Sequence, residues 1–129
     1  GRSARVGKIP LRVALVDDDD DLRAMVTLSL KLSHGCELLS CASAEQALRE
    51  LPAFRPDVIV LDFMMPGMNG LQALKALSDR MPMQGTKVVL TSAATLAEQD
   101  CLAQGASAVL AKPFDAMQLG DYLVRLCRQ

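Results

Sequence analysis

Apolar positions follow two rhythms along this chain. From Leu11 to Val16 they form a short β-rich run that stops at a block of acids, and from Asp20 to about Leu32 they recur at Leu22, Met25, Val26, Leu28, Leu30 and Leu32, the spacing of a helix. One strand, one loop and one helix are predicted, and the unit returns four times. Glu37 to Cys41 precedes a helix from Ala44 to about Leu51, and Val58 to Asp62 precedes one from Gly70 to about Arg80. Lys87 to Thr91 leads into a helix near Leu96 to Gln104, and Ala108 to Ala111 into a last one from Asp115 to Arg128. Breakers stand at the joins: Pro52 and Pro56, Pro66 and Gly67, Pro82 and Gly85, Gly105 and Pro113.

Alternating strands and helices imply an α/β fold, a parallel sheet between two helical layers. The third strand, Val58-Ile59-Val60-Leu61, is apolar at every position, as a strand buried on both faces must be. Right-handed crossovers then bring all strand C-termini to one edge, where open α/β sheets bind ligands.

Length limits this to one domain, since 129 residues leave no room for a second core. No apolar run approaches the ~18 residues of a membrane span, so neither a membrane nor a disordered tail is expected. Charge changes the picture more. Fourteen basic residues face fifteen acidic ones, but five acids are consecutive, Asp17 to Asp21, a focus that suits a cation better than nucleic acid. Cys36, Cys41, Cys101 and Cys127 form no C-x-x-C pair and lie among apolar neighbours; they read as buried free thiols of a reducing, cytoplasmic setting. Residues 1–10, with Arg2, Arg5 and Lys8, read as a flexible lead-in or cut linker. His34 falls at the end of the first helix and is expected to carry no chemistry.

The strand ends carry the chemistry. Asp17-Asp18, Asp62, Thr91-Ser92 and Lys112-Pro113 deliver acids, hydroxyls and a cation to one edge, while Asp19, Asp20 and Asp21 suit the start of a helix. Two carboxylates ~5 Å apart at an effective dielectric of ~20 repel by about 3 kcal/mol. Either the carboxylates take up protons or a divalent cation binds, and an all-oxygen site with few protein ligands suits Mg²⁺. Metal, cation, hydroxyl and a nucleophilic carboxylate are the apparatus for placing a phosphoryl group on an aspartate.

Taken together, these elements resemble the receiver domain of bacterial two-component response regulators. The resemblance runs from about Leu11 to Leu126 and rests on Asp17-Asp18, on Asp57-Val58-Ile59-Val60-Leu61-Asp62, on Met64-Met65-Pro66-Gly67-Met68-Asn69-Gly70, on Thr91 and on Lys112-Pro113-Phe114. It implies a flavodoxin-like five-stranded parallel sheet of order 2-1-3-4-5, an order the general rules for such sheets already describe. It implies that Asp62 accepts the phosphoryl group, that Asp17 and Asp18 hold Mg²⁺ with the Met64 carbonyl, and that Thr91 and Lys112 bind the phosphoryl oxygens. A cis peptide before Pro113 is implied as well. The implied partners are a cognate sensor histidine kinase or histidine phosphotransfer protein, and a downstream output domain or effector; the chain itself would signal rather than act as an enzyme.

Two departures change what is expected. Many receivers carry an aromatic three residues before the lysine, and here that residue is Val109, so the usual aromatic switch is missing. The residues two past Asp62 and Thr91 are Met64 and Ala93, neither able to orient a hydrolytic water, which implies a long-lived aspartyl phosphate. Small residues Ala97, Ala103 and Ala106 read as core packing in preference to an interaction patch. A rival reading exists: Asp17-x-Asp19 also resembles the nucleophile and acid of haloacid-dehalogenase-like phosphatases, although Asp21 stands where that motif has Thr or Val. A scaffold that is never modified is the third.

Overall fold

The computed structural model describes residues 10–129; the lead-in, apart from Pro10, lies outside the described residues. Five strands, β1 (Arg12–Val16), β2 (Glu37–Cys41), β3 (Val58–Asp62), β4 (Lys87–Ser92) and β5 (Ala108–Ala111), alternate with five helices, α1 (Asp20–His34), α2 (Ala44–Phe54), α3 (Gly70–Ser78), α4 (Glu98–Ala103) and α5 (Ala116–Cys127). All pairings are parallel, in the order β2-β1-β3-β4-β5, as the resemblance implied.

Alternation along each strand divides the core into two layers. Ala14, Val16, Ile59, Leu61, Val88 and Leu90 face Leu51 of α2 and Leu74 and Leu77 of α3. Val13, Leu15, Val58, Val60 and Val89 face Val26 and Leu30 of α1 and Leu119 and Leu123 of α5. Every residue of β3 is buried. Among the described residues, no helix is long and apolar enough to cross a membrane.

Helix boundaries differ from expectation where capping overrides periodicity. α1 runs on to His34 and ends at Gly35, which adopts a left-handed φ of 61°. α2 passes through Pro52, expected to end it, and stops at Phe54. Proline removes a backbone donor, but the last turn has other partners. The Arg12 guanidinium donates to the Phe54 carbonyl at 2.6 and 3.0 Å and lies 4.2 Å over the Phe54 ring. α3 ends at Ser78, short of Arg80, and α4 spans only Glu98–Ala103, with no side-chain cap at Ala97. β4 extends one residue further than expected, to Ser92, which pairs with Ala111.

All four thiols are free; Cys36, Cys41 and Cys101 are buried, whereas Cys127 is only half-buried at the end of α5. Ala106 is buried as expected, but Ala97 and Ala103 are exposed on α4 and its approach. His34 Nε2 lies 2.9 Å from Asp121 Oδ1, tying α1 to α5.

Burial pushes the Cys41 thiol up to about 11 from 9.0, with Glu50 adding to the rise and Arg23 and Arg49 opposing it. The unfolded chain therefore releases this proton at lower pH than the folded one. Cys41's contribution is intact below pH 9.0 and is lost as pH rises through about 11. Urea unfolding across that window is expected to show a steeper loss of stability in the wild type than in Cys41→Ala; equal slopes would contradict the assignment.

Candidate functional site

Sheet register brings the chemistry into one row. Val16 pairs with Leu61 and Asp62 with Thr91, so Asp17, just past β1, lies level with Asp62 and Thr91 at the C-terminal ends of three neighbouring strands. Strand alternation places all three on the α1/α5 side of the sheet, and Ser92 on the other. The two hydroxyls at this strand end thus lie on opposite faces, with Thr91 on the side of Asp17 and Asp62. Ser92 is spent on a turn, its Oγ accepting from the Ala94 N–H at 3.0 Å.

Asp17, Asp62 and Thr91 are buried, with 1%, 4% and 1% of their surface exposed, while Asp18 stands open to solvent. Oxygens of Asp17, Asp18 and Asp62 all lie within 4.8 Å of one another. Lys112 reaches in from beyond β5, Nζ lying 2.8 Å from Asp17 Oδ2 and 3.4 Å from Asp62 Oδ1. The Lys112–Pro113 peptide is cis, as the resemblance implied. The backbone N–H of Met64 donates to Asp62 Oδ1 at 3.4 Å, and its side chain is exposed. Each site residue expected from the sequence is therefore at this edge.

The acidic run is divided by position. Asp17 Oδ1 accepts from the Asp19 N–H at 2.9 Å, fixing the turn out of β1. Asp19 caps α1 by accepting from the N–H groups of Asp21 and Leu22. That cap engages Oδ1 of Asp19, the second acid on which the phosphatase reading depends.

Two residues support the site: Arg23, which the sequence reading did not single out, and Gly70, which ends the motif after Asp62. Arg23, one turn into α1, donates to the Asp17 carbonyl at 2.7 Å and pairs with Asp20. Its i,i+3 spacing from Asp20 was the only hint available. Gly70 starts α3 with its N–H on the Phe63 carbonyl at 2.8 Å, and a Cβ there would lie 2.8 Å from the Asp62 carbonyl oxygen. Only glycine lets α3 start so close to the end of β3.

Three carboxylates and one ammonium leave an excess of negative charge. Burial pushes the Asp62 carboxyl above its ordinary value and the Asp17 charge pushes it further, against the pull of Lys112 and the Met64 N–H. Burial alone would lower Lys112, but its hydrogen bond and charge pairing with Asp17, and then with Asp62, outweigh this and raise it. The ammonium therefore stays charged. The donors left for a metal are hard carboxylate oxygens, one set open to solvent through Asp18, and these fit Mg²⁺ rather than a thiolate- or imidazole-preferring ion.

A doubly wound parallel sheet with an acid cluster, a hydroxyl and a lysine at its C-terminal edge defines a receiver-type signalling domain. The chain matches the response regulator receiver domain model over residues 13–124 and belongs to that family. It is 38% identical over 122 residues to a protein-glutamate methylesterase/protein-glutamine glutaminase of Bacillus licheniformis, covering 89% of this chain and 33% of that protein. It is 33% identical to the DNA-binding response regulator MtrA of Mycolicibacterium smegmatis, covering 84% of this chain and 46% of that one. Among solved structures, Vibrio cholerae chemotaxis protein CheY4 is similar at a TM-score of 0.82 and 31% identity, covering 92% of this chain and 99% of that one. The signal receiver domain of the Mycobacterium tuberculosis regulator NarL gives 0.79 and 30%, covering 92% and 97%. The chain thus spans less than half the length of the two curated relatives, and a DNA-binding protein among them lends no support to the expected absence of nucleic-acid partners.

The charge imbalance is measurable. With metal chelated, Lys112→Met should lower stability to urea by about 2 kcal/mol, because two buried carboxylates lose their shared partner at a partly exposed site. Asp62→Asn should be neutral or stabilising, since it removes a buried charge. The reverse order of the two variants would contradict this account.

Proposed function

We propose that this chain is a phosphoacceptor receiver that takes a phosphoryl group from a kinase phosphohistidine onto Asp62, with Mg²⁺, and thereby changes its partner preference. The observation that carries the reading is the buried Asp62 carboxylate, with Lys112 Nζ at 3.4 Å and the Asp17 and Asp18 carboxylates alongside. An Asp62 oxygen attacks phosphorus, an O–P bond forms, the N–P bond to the donor imidazole breaks, and its electron pair returns to the ring nitrogen.

Lys112 holds a fixed positive charge where the transferred oxygens arrive, and Thr91, level with Asp62, offers its hydroxyl to one of them. Asp17, Asp18, Asp62 and the Met64 carbonyl would hold the metal. When bound, Mg²⁺ offsets charge on the phosphoryl oxygens. The donor would be a cognate sensor histidine kinase or histidine phosphotransfer protein, and the reader an output domain or effector. On this reading residues 11–129 are the signalling unit, acting in a reducing cytoplasm, and the chain is not itself an enzyme of metabolism. Val109, half-buried against the α2/α3 layer, leaves the readout to repacking of β4, α4 and β5.

Incubation with Mg²⁺ and acetyl phosphate, followed by intact mass, tests the chemistry. A gain of one phosphoryl group that requires Mg²⁺ and vanishes in Asp62→Ala is expected. No gain in the wild type would favour the scaffold, and labelling that survives Asp62→Ala but not Asp17→Ala would restore the phosphatase.

The lifetime of the product is a separate expectation. Met64 and Ala93 offer no side-chain group to position an attacking water, so the phosphoprotein should persist well beyond seconds at neutral pH once acetyl phosphate is removed. Decay within seconds would sink that idea.

A further inference from the structure

Arg23 is a cation near the start of α1, just behind Asp20 and Asp21, at the helix end whose dipole favours negative charge. Its side chain is only 17% exposed, against 86% for its ion-pair partner Asp20. A long cation held down at that end of a helix loses hydration and rotamer freedom. Helix formation alone does not account for it. What the guanidinium touches does: Nη1 donates to the Asp17 carbonyl at 2.7 Å and Nη2 pairs with Asp20, so the planar fork spans the loop between β1 and α1.

The carbonyl it holds belongs to the peptide that joins Asp17 to Asp18. Asp17 is fixed on its other sides as well. Its N–H donates to the Cys41 carbonyl at 3.1 Å, Oδ1 accepts from the Asp19 N–H at 2.9 Å and Oδ2 from Lys112 at 2.8 Å. Asp18 has no such anchors. It is exposed, and among the described residues its carboxylate accepts no hydrogen bond and forms no ion pair, yet it stands within 4.8 Å of the Asp17 and Asp62 oxygens. Its direction is therefore set by the backbone that bears it. We infer that Arg23 is a positioning residue for the divalent cation, aiming the Asp18 carboxylate by fixing the Asp17–Asp18 peptide. The inference rests on the reading of this acid cluster as a Mg²⁺ site. Groups that hold metal ligands from behind commonly govern affinity in this way. Charge alone acts in the opposite sense, since a guanidinium close to a cation repels it. The sign of the effect thus separates positioning from simple electrostatics.

Calorimetric titration of Mg²⁺ into the unphosphorylated protein tests this without any turnover. Arg23→Met should bind Mg²⁺ about 10-fold more weakly than the wild type, although a repelling charge has been removed. Arg23→Lys keeps the charge but not the fork and should fall between the two. In the acetyl phosphate reaction the Mg²⁺ concentration giving half-maximal rate should rise in step, while the rate at saturating Mg²⁺ stays that of the wild type. Circular dichroism and urea unfolding report whether each variant is folded; if Arg23→Met is not, Arg23→Lys is judged alone and must still bind more weakly than the wild type. Equal or tighter binding by Arg23→Met, or by Arg23→Lys where it stands alone, would overturn the inference. So would a lowered rate that saturating Mg²⁺ does not restore, because Asp62 itself would then be disturbed. Failure of the metal reading looks different: the wild type would bind no Mg²⁺, or Asp18→Asn would bind it unchanged, and the positioning role would fall with it.

Discussion

Three carboxylates have oxygens within 4.8 Å of one another, the two buried ones share a single ammonium, and the surrounding backbone is arranged to hold them there. Left in open loops, such groups would move apart, because separating like charges is cheap in water. Parallel register prevents this. Asp17 and Asp62 end adjacent strands whose preceding residues are locked into two core layers, so neither can withdraw without uncovering apolar surface. Gly70 closes the far side, where α3 begins against the Asp62 carbonyl with no space for a side chain. The core thus supplies the work of keeping the acids together, and Lys112 limits how much work is needed.

Much of this was legible in the chain because it depends on local pattern. Strand and helix periods, the all-apolar third strand and the polar residues near the strand ends are enough to place the acids, the threonine and the lysine at a common edge. Thr91 was assigned through the resemblance, whereas the turn that occupies Ser92 was not legible, since it depends on a backbone N–H that folds back onto that hydroxyl. Nor was the end of α2. Proline is a reliable local signal, and what overrides it is an arginine from β1, distant along the chain but adjacent in space. Arg23 escaped for the same reason: its role is a bond to one carbonyl, which no spacing rule encodes.

The two layers of helices have unequal ties. α1 and α5 are joined by the Ser29–Ala116 hydrogen bond, by the His34–Asp121 contact and by a close approach at Gly120, where a Cβ would lie 2.4 Å from the His34 ring. α4, by contrast, is six residues long, lacks a side-chain cap and buries only Cys101. With a valine at position 109, α4 and β5 beside it are lightly anchored, next to the strand that carries Thr91. Local stability is uneven in just this sense, with short, poorly anchored elements opening first.

Asp17 to Asp21 are identical in composition but not in office: one turns the chain, one faces solvent at the site, one caps the helix and two begin it. Loss of any one codon from the run would yield the same protein, with four aspartates and every kind of site residue still present. The apolar side of α1 would nevertheless meet the end of β1 turned by about 100°. The tract therefore behaves as a ruler whose length is under constraint even though its letters are interchangeable, and replication slippage there would be a phasing lesion rather than a chemical one.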